Sequence, residues 1–202
     1  MLDVALVVPA YDEGSTIGGV VRTAITSGLF RQVIVVNDGS RDCTSDIASK
    51  AGALVIDLYP NQGKGAAMRR ALECVETEYV MFCDADLLKV EGEHFQTLID
   101  KMLTGYDLVV GVLSDPGQKL VPCWSGQKII STSNVRSFFE ANPSIESFVV
   151  DGAMIRWAQR NDLNVGFVAW RNIKHVRKVA KRGFIEGWKG YFQMWWDIFR
   201  GK

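Results

Sequence analysis

Two carboxylates one residue apart, Asp84 and Asp86, close the apolar run Val80-Met81-Phe82-Cys83. The run reads as a buried strand, and alternation along a strand places both carboxylates on one face. Like charges side by side repel unless a cation or a polar ligand sits between them. Oxygen donors suit a hard divalent ion, and such an ion usually also holds substrate phosphates. The spacing therefore points to a metal site that grips a diphosphate. A lone Asp-x-Asp also occurs in solvated loops, so its meaning depends on the elements around it.

Those elements alternate. Val4-Ala5-Leu6-Val7-Val8 reads as a strand stopped by Pro9, and Ser15 is placed to cap a helix running to about Gly28. Val33-Ile34-Val35-Val36 is a second strand, followed by a helix to about Ala51; Ala53-Leu54-Val55-Ile56 is a third. Gly63 to Glu76 reads as a helix, and Tyr79 to Cys83 as a fourth strand. The predicted class is α/β, a mostly parallel sheet with helices on both faces. In such sheets ligands bind at the carboxyl ends of the strands. There lie Tyr11-Asp12-Glu13, Asn37-Asp38-Gly39-Ser40, Asn61-Gln62-Gly63-Lys64-Gly65 and Asp84-Ala85-Asp86, one cluster per strand. One cluster could be turn chemistry; a cluster at every strand end describes a crevice. Neither a Gly-x-Gly-x-x-Gly after the first strand nor a Gly-Lys-Ser/Thr loop occurs, which weighs against dinucleotide enzymes and P-loop NTPases.

Composition adds bounds. The chain has 202 residues, 48% hydrophobic and 23% charged, with zero formal net charge. That size suits one large domain, or a domain with a tail. Bulk charge names no partner, and nothing calls for nucleic acid. The distribution is less even: no acidic residue falls between Asp162 and Glu186, while Arg171, Lys174, Arg177, Lys178, Lys181 and Arg182 do. A stretch of this kind suits phosphates or an anionic membrane surface, or is a solvated helix face. Cys43, Cys74, Cys83 and Cys123 fit no zinc spacing and read as reduced cytosolic thiols. The N-terminus enters a strand at once, which reads as no signal peptide, and no apolar run approaches the ~20 residues of a membrane span. The expected location is cytoplasmic, with a peripheral place on the inner face of the plasma membrane as an option.

Taken in order, the clusters resemble the GT-A fold, family 2 glycosyltransferases that use nucleotide sugars. The matching residues are Val8-Pro9-Ala10-Tyr11-Asp12-Glu13, Val35 to Asp42, Asn61 to Ala66 and Phe82 to Asp86. The resemblance is strongest to the polyprenyl-phosphate (dolichyl-phosphate-mannose-like) and glucosyl-phosphoglycerate-like branches. It implies a GT-A (Rossmann-like) domain over 1–175 and a metal-dependent transfer of a hexose from a UDP- or GDP-linked sugar. The donor site would comprise Pro9, Tyr11, Glu13, Asp38, Lys64, Asp84 and Ala85. Glu13 and Asp38 would bond ribose and base, and Lys64 would lie near base or phosphates unless it is simply an exposed helix-start lysine. Asp84 would meet ribose or metal. Asp86 would bind Mg²⁺ or Mn²⁺ directly, and the ion would neutralise the leaving diphosphate. His175, in Ile173-Lys174-His175-Val176-Arg177-Lys178, would be a further metal ligand or else a structural histidine. His94 reads as surface.

The acceptor side departs from the pattern. Ser125-Gly126-Gln127-Lys128 resembles a Ser-Gly-Gln-Arg motif, with Lys128 giving up bidentate phosphate recognition. Gln127, Lys128, Arg177 and Lys178 are the candidates for an acceptor phosphate. Asp151 stands where relatives carry a longer acid, and is either the acceptor-side base or a helix cap. The acceptor would be lipid-linked or otherwise phosphate-bearing. Phe184, Ile185, Trp188, Tyr191, Phe192, Trp195, Trp196 and Phe199 fall on one face of an amphipathic aromatic helix within 176–202. It would pack on its own sheet, on a second subunit in a homodimer, or at a membrane interface. A donor-binding module without turnover and a sugar-phosphate nucleotidyltransferase are the alternatives.

Overall fold

The computed structural model describes residues 2–114 and 125–175, the side chains of Ser114, Lys174 and His175 excepted. The helix expected within 176–202, with Arg177 and Lys178, lies outside the described residues.

The main sheet has the order β3-β2-β1-β4-β7-β6-β8. Its strands are β1 (Val4–Ala10), β2 (Gln32–Asp38), β3 (Leu54–Leu58), β4 (Tyr79–Phe82), β6 (Leu108–Ser114), β7 (Lys128–Ser131) and β8 (Val165–Arg171). All pairings are parallel except those of β7, which runs against both β4 and β6. A two-residue strand β5 (Leu87–Leu88) pairs antiparallel with β9 (Lys174–His175), setting Leu87 opposite His175.

Both faces are covered, which is why the strands are almost unbroken apolar runs. Along β1, Val4, Leu6 and Val8 enter one core while Ala5 and Val7 enter the other. The first core is completed by α1 (Ile17–Ser27), α2 (Thr44–Lys50) and α4 (Gly92–Met102). The second is completed by α3 (Lys64–Ala71), α5 (Thr132–Ala141) and α6 (Val150–Arg160).

Two sequence expectations shift. Pro9 does not stop β1, which continues in register with β2 through Pro9↔Val36 and Ala10↔Asn37. Pairing with β4 has already ended at Val7↔Phe82, so that side of the ladder asks no N–H of the proline. Ser15 does not cap α1 either. The N-cap is Thr16, whose hydroxyl turns back to the Glu13 carboxylate (3.1 Å) and carbonyl (3.2 Å). α1 ends at Gly28, with φ 66°, in the left-handed region that glycine enters without strain.

The reversal of β7 matters most for function. Because it runs backwards, its first residue, Lys128, sits opposite Phe82, the last residue of β4. The segment 125–128 thereby reaches the same sheet edge as Asp84.

Candidate functional site

At that edge the strand-end clusters are stitched to one another. The Asp12 amide donates to Ser40 Oγ (2.9 Å), and the Arg41 amide to Asp12 Oδ1 (2.8 Å). The Glu13 amide donates to Thr44 Oγ1 (2.8 Å), and the Gly14 amide to Asp42 Oδ2 (2.9 Å). Asp38 is buried and accepts from the Gln62 and Gly63 amides (2.7 and 2.8 Å). Asp38 thus ties the end of β2 to the loop that opens α3.

Deeper in, four charged side chains form a chain. Lys64 Nζ donates to Asp84 Oδ1 (2.7 Å) and to Asp151 Oδ2 (2.6 Å). The other Asp151 oxygen accepts from Lys128 Nζ. The other Asp84 oxygen accepts from Gln127 Nε2 (2.7 Å). Side-chain exposure falls along the chain, from 21% at Asp84 and 9% at Lys64 to 5% at Asp151 and 0% at Lys128. Burial alone would lower the Lys64 pKa, but the Asp151 and Asp84 carboxylates outweigh it and hold the ammonium above the ordinary lysine range. Burial wins at Lys128 and pushes it down, against the pull of Asp151. Beside them, burial and then Asp84 push the Cys83 thiol well up, leaving it an unreactive core group.

Glycines make this closeness geometrically feasible. A Cβ on Gly63 would stand 2.3 Å from the Glu146 carbonyl oxygen, and one on Gly65 would stand 2.5 Å from that of Ile145. The Gly65 amide donates to the Glu146 carbonyl (2.8 Å). The Gly63-Lys64-Gly65 loop therefore lies flat against the segment leading into α6, which brings Lys64 within reach of Asp151. Gly65→Ala should cost about 1–3 kcal/mol through overpacking, read as a lower urea midpoint. Nucleotide binding should weaken with it as Asp151 is pushed off Lys64.

The model of the family described as glycosyl transferase family 2 matches residues 5–164, most of the chain and all of the sheet edge just described. The chain belongs to glycosyl transferase family 2. A dolichyl-phosphate hexose transferase of Haloferax volcanii is 33% identical over 138 residues, covering 67% of this chain and 59% of that protein. A glucosyl-3-phosphoglycerate synthase of Mycolicibacterium smegmatis is 33% identical over 124 residues, covering 56% and 41%. The chain thus spans about half the length of these relatives. Among solved structures, the glucosyl-3-phosphoglycerate synthase of Mycobacterium tuberculosis, solved with Mn²⁺, UDP and glucosyl-3-phosphoglycerate, shares the fold. Its TM-score is 0.74 at 21% identity, over 87% of this chain and 72% of that one.

Within this family 2 domain, the residues read from the sequence fall as follows. Pro9 ends in the β1–β2 ladder, and Tyr11, Glu13, Asp38, Lys64, Asp84, Ala85 and Asp86 all lie along the carboxyl edge. Asp84 and Asp86 are partly exposed there, with buried Ala85 between them. No group of at least three His, Cys, Asp or Glu side chains gathers around a common point among the described residues. The backbone of His175 comes opposite Leu87, next to Asp86. Gln127 and Lys128, expected at an acceptor phosphate, are fully buried and turned onto Asp84 and Asp151. Asp151 does not cap α6. The N-cap is Val149, and the Asp151 carboxylate sits in the first helical turn facing two ammonium groups.

His94, read from the sequence as surface, has both ring nitrogens engaged. Its Nδ1 accepts from the Glu91 amide (3.0 Å) and its Nε2 stands 3.0 Å from the Arg171 carbonyl. That pairing places the ring proton on Nε2. The side chain thus joins the start of α4 to the end of β8, just before β9. A capping-box spacing, Glu91-x-x-His94, was the available signal.

Proposed function

We propose that this chain is a metal-dependent glycosyltransferase moving a hexose from a UDP- or GDP-linked sugar to a phosphate-bearing or lipid-linked acceptor. The observation that carries this reading is the meeting of Asp84, Asp86 and Lys64 at one sheet edge, with Asp151 a single ammonium away.

Tyr11, Glu13 and Asp38 would hold the nucleoside along the stitched rim, with Pro9 and Ala85 shaping its floor. Two partly exposed carboxylates offering hard oxygen ligands fit Mg²⁺ or Mn²⁺. Asp86 would hold the ion, with Asp84 and His175 as further ligands. When bound, the ion supplies a positive charge that stabilises the departing diphosphate. Lys64 adds a fixed second cation, held charged by its two carboxylates, and would meet the phosphates from the α3 side.

On the acceptor side both Asp151 oxygens are engaged by Lys64 and Lys128. Held between two ammonium groups and 5% exposed, the carboxylate is poorly placed to turn to an acceptor hydroxyl. That favours an acceptor already anionic, such as a phosphate oxygen, which needs no base. Arg177 and Lys178 are the cations proposed to meet it. The names of the relatives, a dolichyl-phosphate hexose transferase and a glucosyl-3-phosphoglycerate synthase, support acceptors of both kinds.

The test is calorimetric titration of the purified protein with UDP and GDP sugars, in Mn²⁺ and then in EDTA. Binding of one nucleotide that disappears in EDTA is expected and names the base. Polyprenyl phosphates and phosphoglycerate are then offered as acceptors. Absence of binding to any nucleotide sugar would overturn the proposal.

A further inference from the structure

Resting on that donor-site reading, we infer that Ser125-Gly126-Gln127 is the cradle that aims Asp84, with Gln127 the positioning residue of the metal–diphosphate site. The motif reads from the sequence as an acceptor element, yet its side chains bond to Asp84, to the Gly111 carbonyl of the sheet and to each other. Each of the three residues contributes something different.

Gln127 is fully buried, and its amide nitrogen donates to Asp84 Oδ2 at 2.7 Å. A buried amide can hold a carboxylate in one orientation only if its own flip is fixed, since the oxygen end would repel Asp84. Ser125 fixes it. Its buried hydroxyl lies 2.7 Å from Gln127 Oε1, sharing its proton between that oxygen and the Gly111 carbonyl. The hydroxyl thereby selects the face on which NH₂ points to Asp84. Gly126 supplies the space. A Cβ there would stand 2.1 Å from Asp84 Oδ1 and 2.4 Å from its carboxyl carbon. The carboxylate lies directly over the glycine, and no other residue type permits that approach.

Asp84 is thus held on three sides: the amide of Gln127 at one oxygen, the ammonium of Lys64 at the other, and the bare backbone of Gly126 beneath. The plane of the carboxylate, and so the direction it offers ribose or metal, is set by these neighbours. Partners of this kind orient ligating carboxylates, and their loss typically weakens metal binding by about 10–100-fold.

The experiment compares wild type with Gln127→Met, which keeps length and burial but not the amide, and Ser125→Ala, which only frees the amide to flip. Each protein is titrated with Mn²⁺ plus UDP and Mn²⁺ plus GDP by calorimetry, with thermal midpoints recorded alongside. Steady-state KM values are taken separately for donor and acceptor. For Gln127→Met, binding of the nucleotide that wild type prefers should weaken by about 10–100-fold. Ser125→Ala should show a smaller loss of the same sign. The donor KM should rise while the acceptor KM holds, a split that mere loosening of the fold would not produce. Binding within about twofold of wild type in Gln127→Met overturns the inference, as does a rise confined to the acceptor KM. Should Gln127→Met fail to fold, unchanged binding in Ser125→Ala overturns it equally. A wild-type protein that binds no nucleotide defeats the donor-site reading itself, and the role of Gln127 falls with it.

Discussion

Asp151→Ala should destabilise the protein by about 3–5 kcal/mol, the cost of removing one partner from a buried ion pair. The expectation is at the upper end because one carboxylate serves two ammonium groups. Lys128 is fully buried and Asp151 is its one side-chain partner among the described residues, so its charge would be stranded in the core. Lys64 would keep Asp84 but face Lys128 across the gap left by the carboxylate. Guanidinium or urea denaturation at neutral pH is the measurement. The variant Asp151→Ala with Lys128→Met is the control. Removing both members of the deeper pair should recover part of the loss, a non-additivity of about 0.5–3 kcal/mol for directly coupled groups. A single variant as stable as wild type would mean that Lys128 sheds its proton or reaches water. The contribution of Lys64 has a definite pH sign. Its folded pKa is raised, so the stabilisation is fully present below the unfolded lysine value of about 10.4 and is lost only as pH climbs beyond it.

Asp86→Ala is the largest functional loss expected. The residue is partly exposed at the carboxyl end of β4, so stability should change little. Turnover should fall on the order of 10²–10³-fold or more, the range seen when a preorganised source of transition-state stabilisation is removed. The decisive comparison is metal dependence. Wild-type activity should collapse in EDTA and return with Mn²⁺ or Mg²⁺. The residual activity of Asp86→Ala should be low and nearly indifferent to either ion. A variant that still responds to Mn²⁺ with a normal midpoint would place the ion elsewhere.

The half of the sheet built from β1 to β4 was legible because its signals are local. Val4 to Val8 and Val33 to Val36 are continuous apolar runs, each followed within a few residues by polar turn chemistry, and they form β1 and β2. Asp38, Lys64 and Asp84 each follow such a run and meet at one edge. The half entered by β7 was not legible for the same reason. Nothing within Ser125 to Lys128 tells that β7 enters the sheet backwards between β4 and β6. That long-range pairing alone decides that Lys128 points at Asp151 rather than at solvent. Asp151 reads from the sequence as an acceptor-side base or a helix cap, but its partners are 23 and 87 positions away in the chain. Spacing within one helix cannot disclose them. Glu91-x-x-His94 was missed because histidine replaces the usual acid of a capping box.

The backward strand also governs the order in which a growing chain can become competent. Everything through Leu88 contains the paired carboxylates, Lys64 and four strands already adjacent in the sheet. Such a nascent piece would still present β4 as an open edge, a template for pairing with other chains. β7 closes that edge and, in the same motion, delivers the amide and the ammonium that hold Asp84 and Asp151. Protection from aggregation and assembly of the chemistry are therefore one late, non-local event. A truncation ahead of Lys128 would forfeit both together.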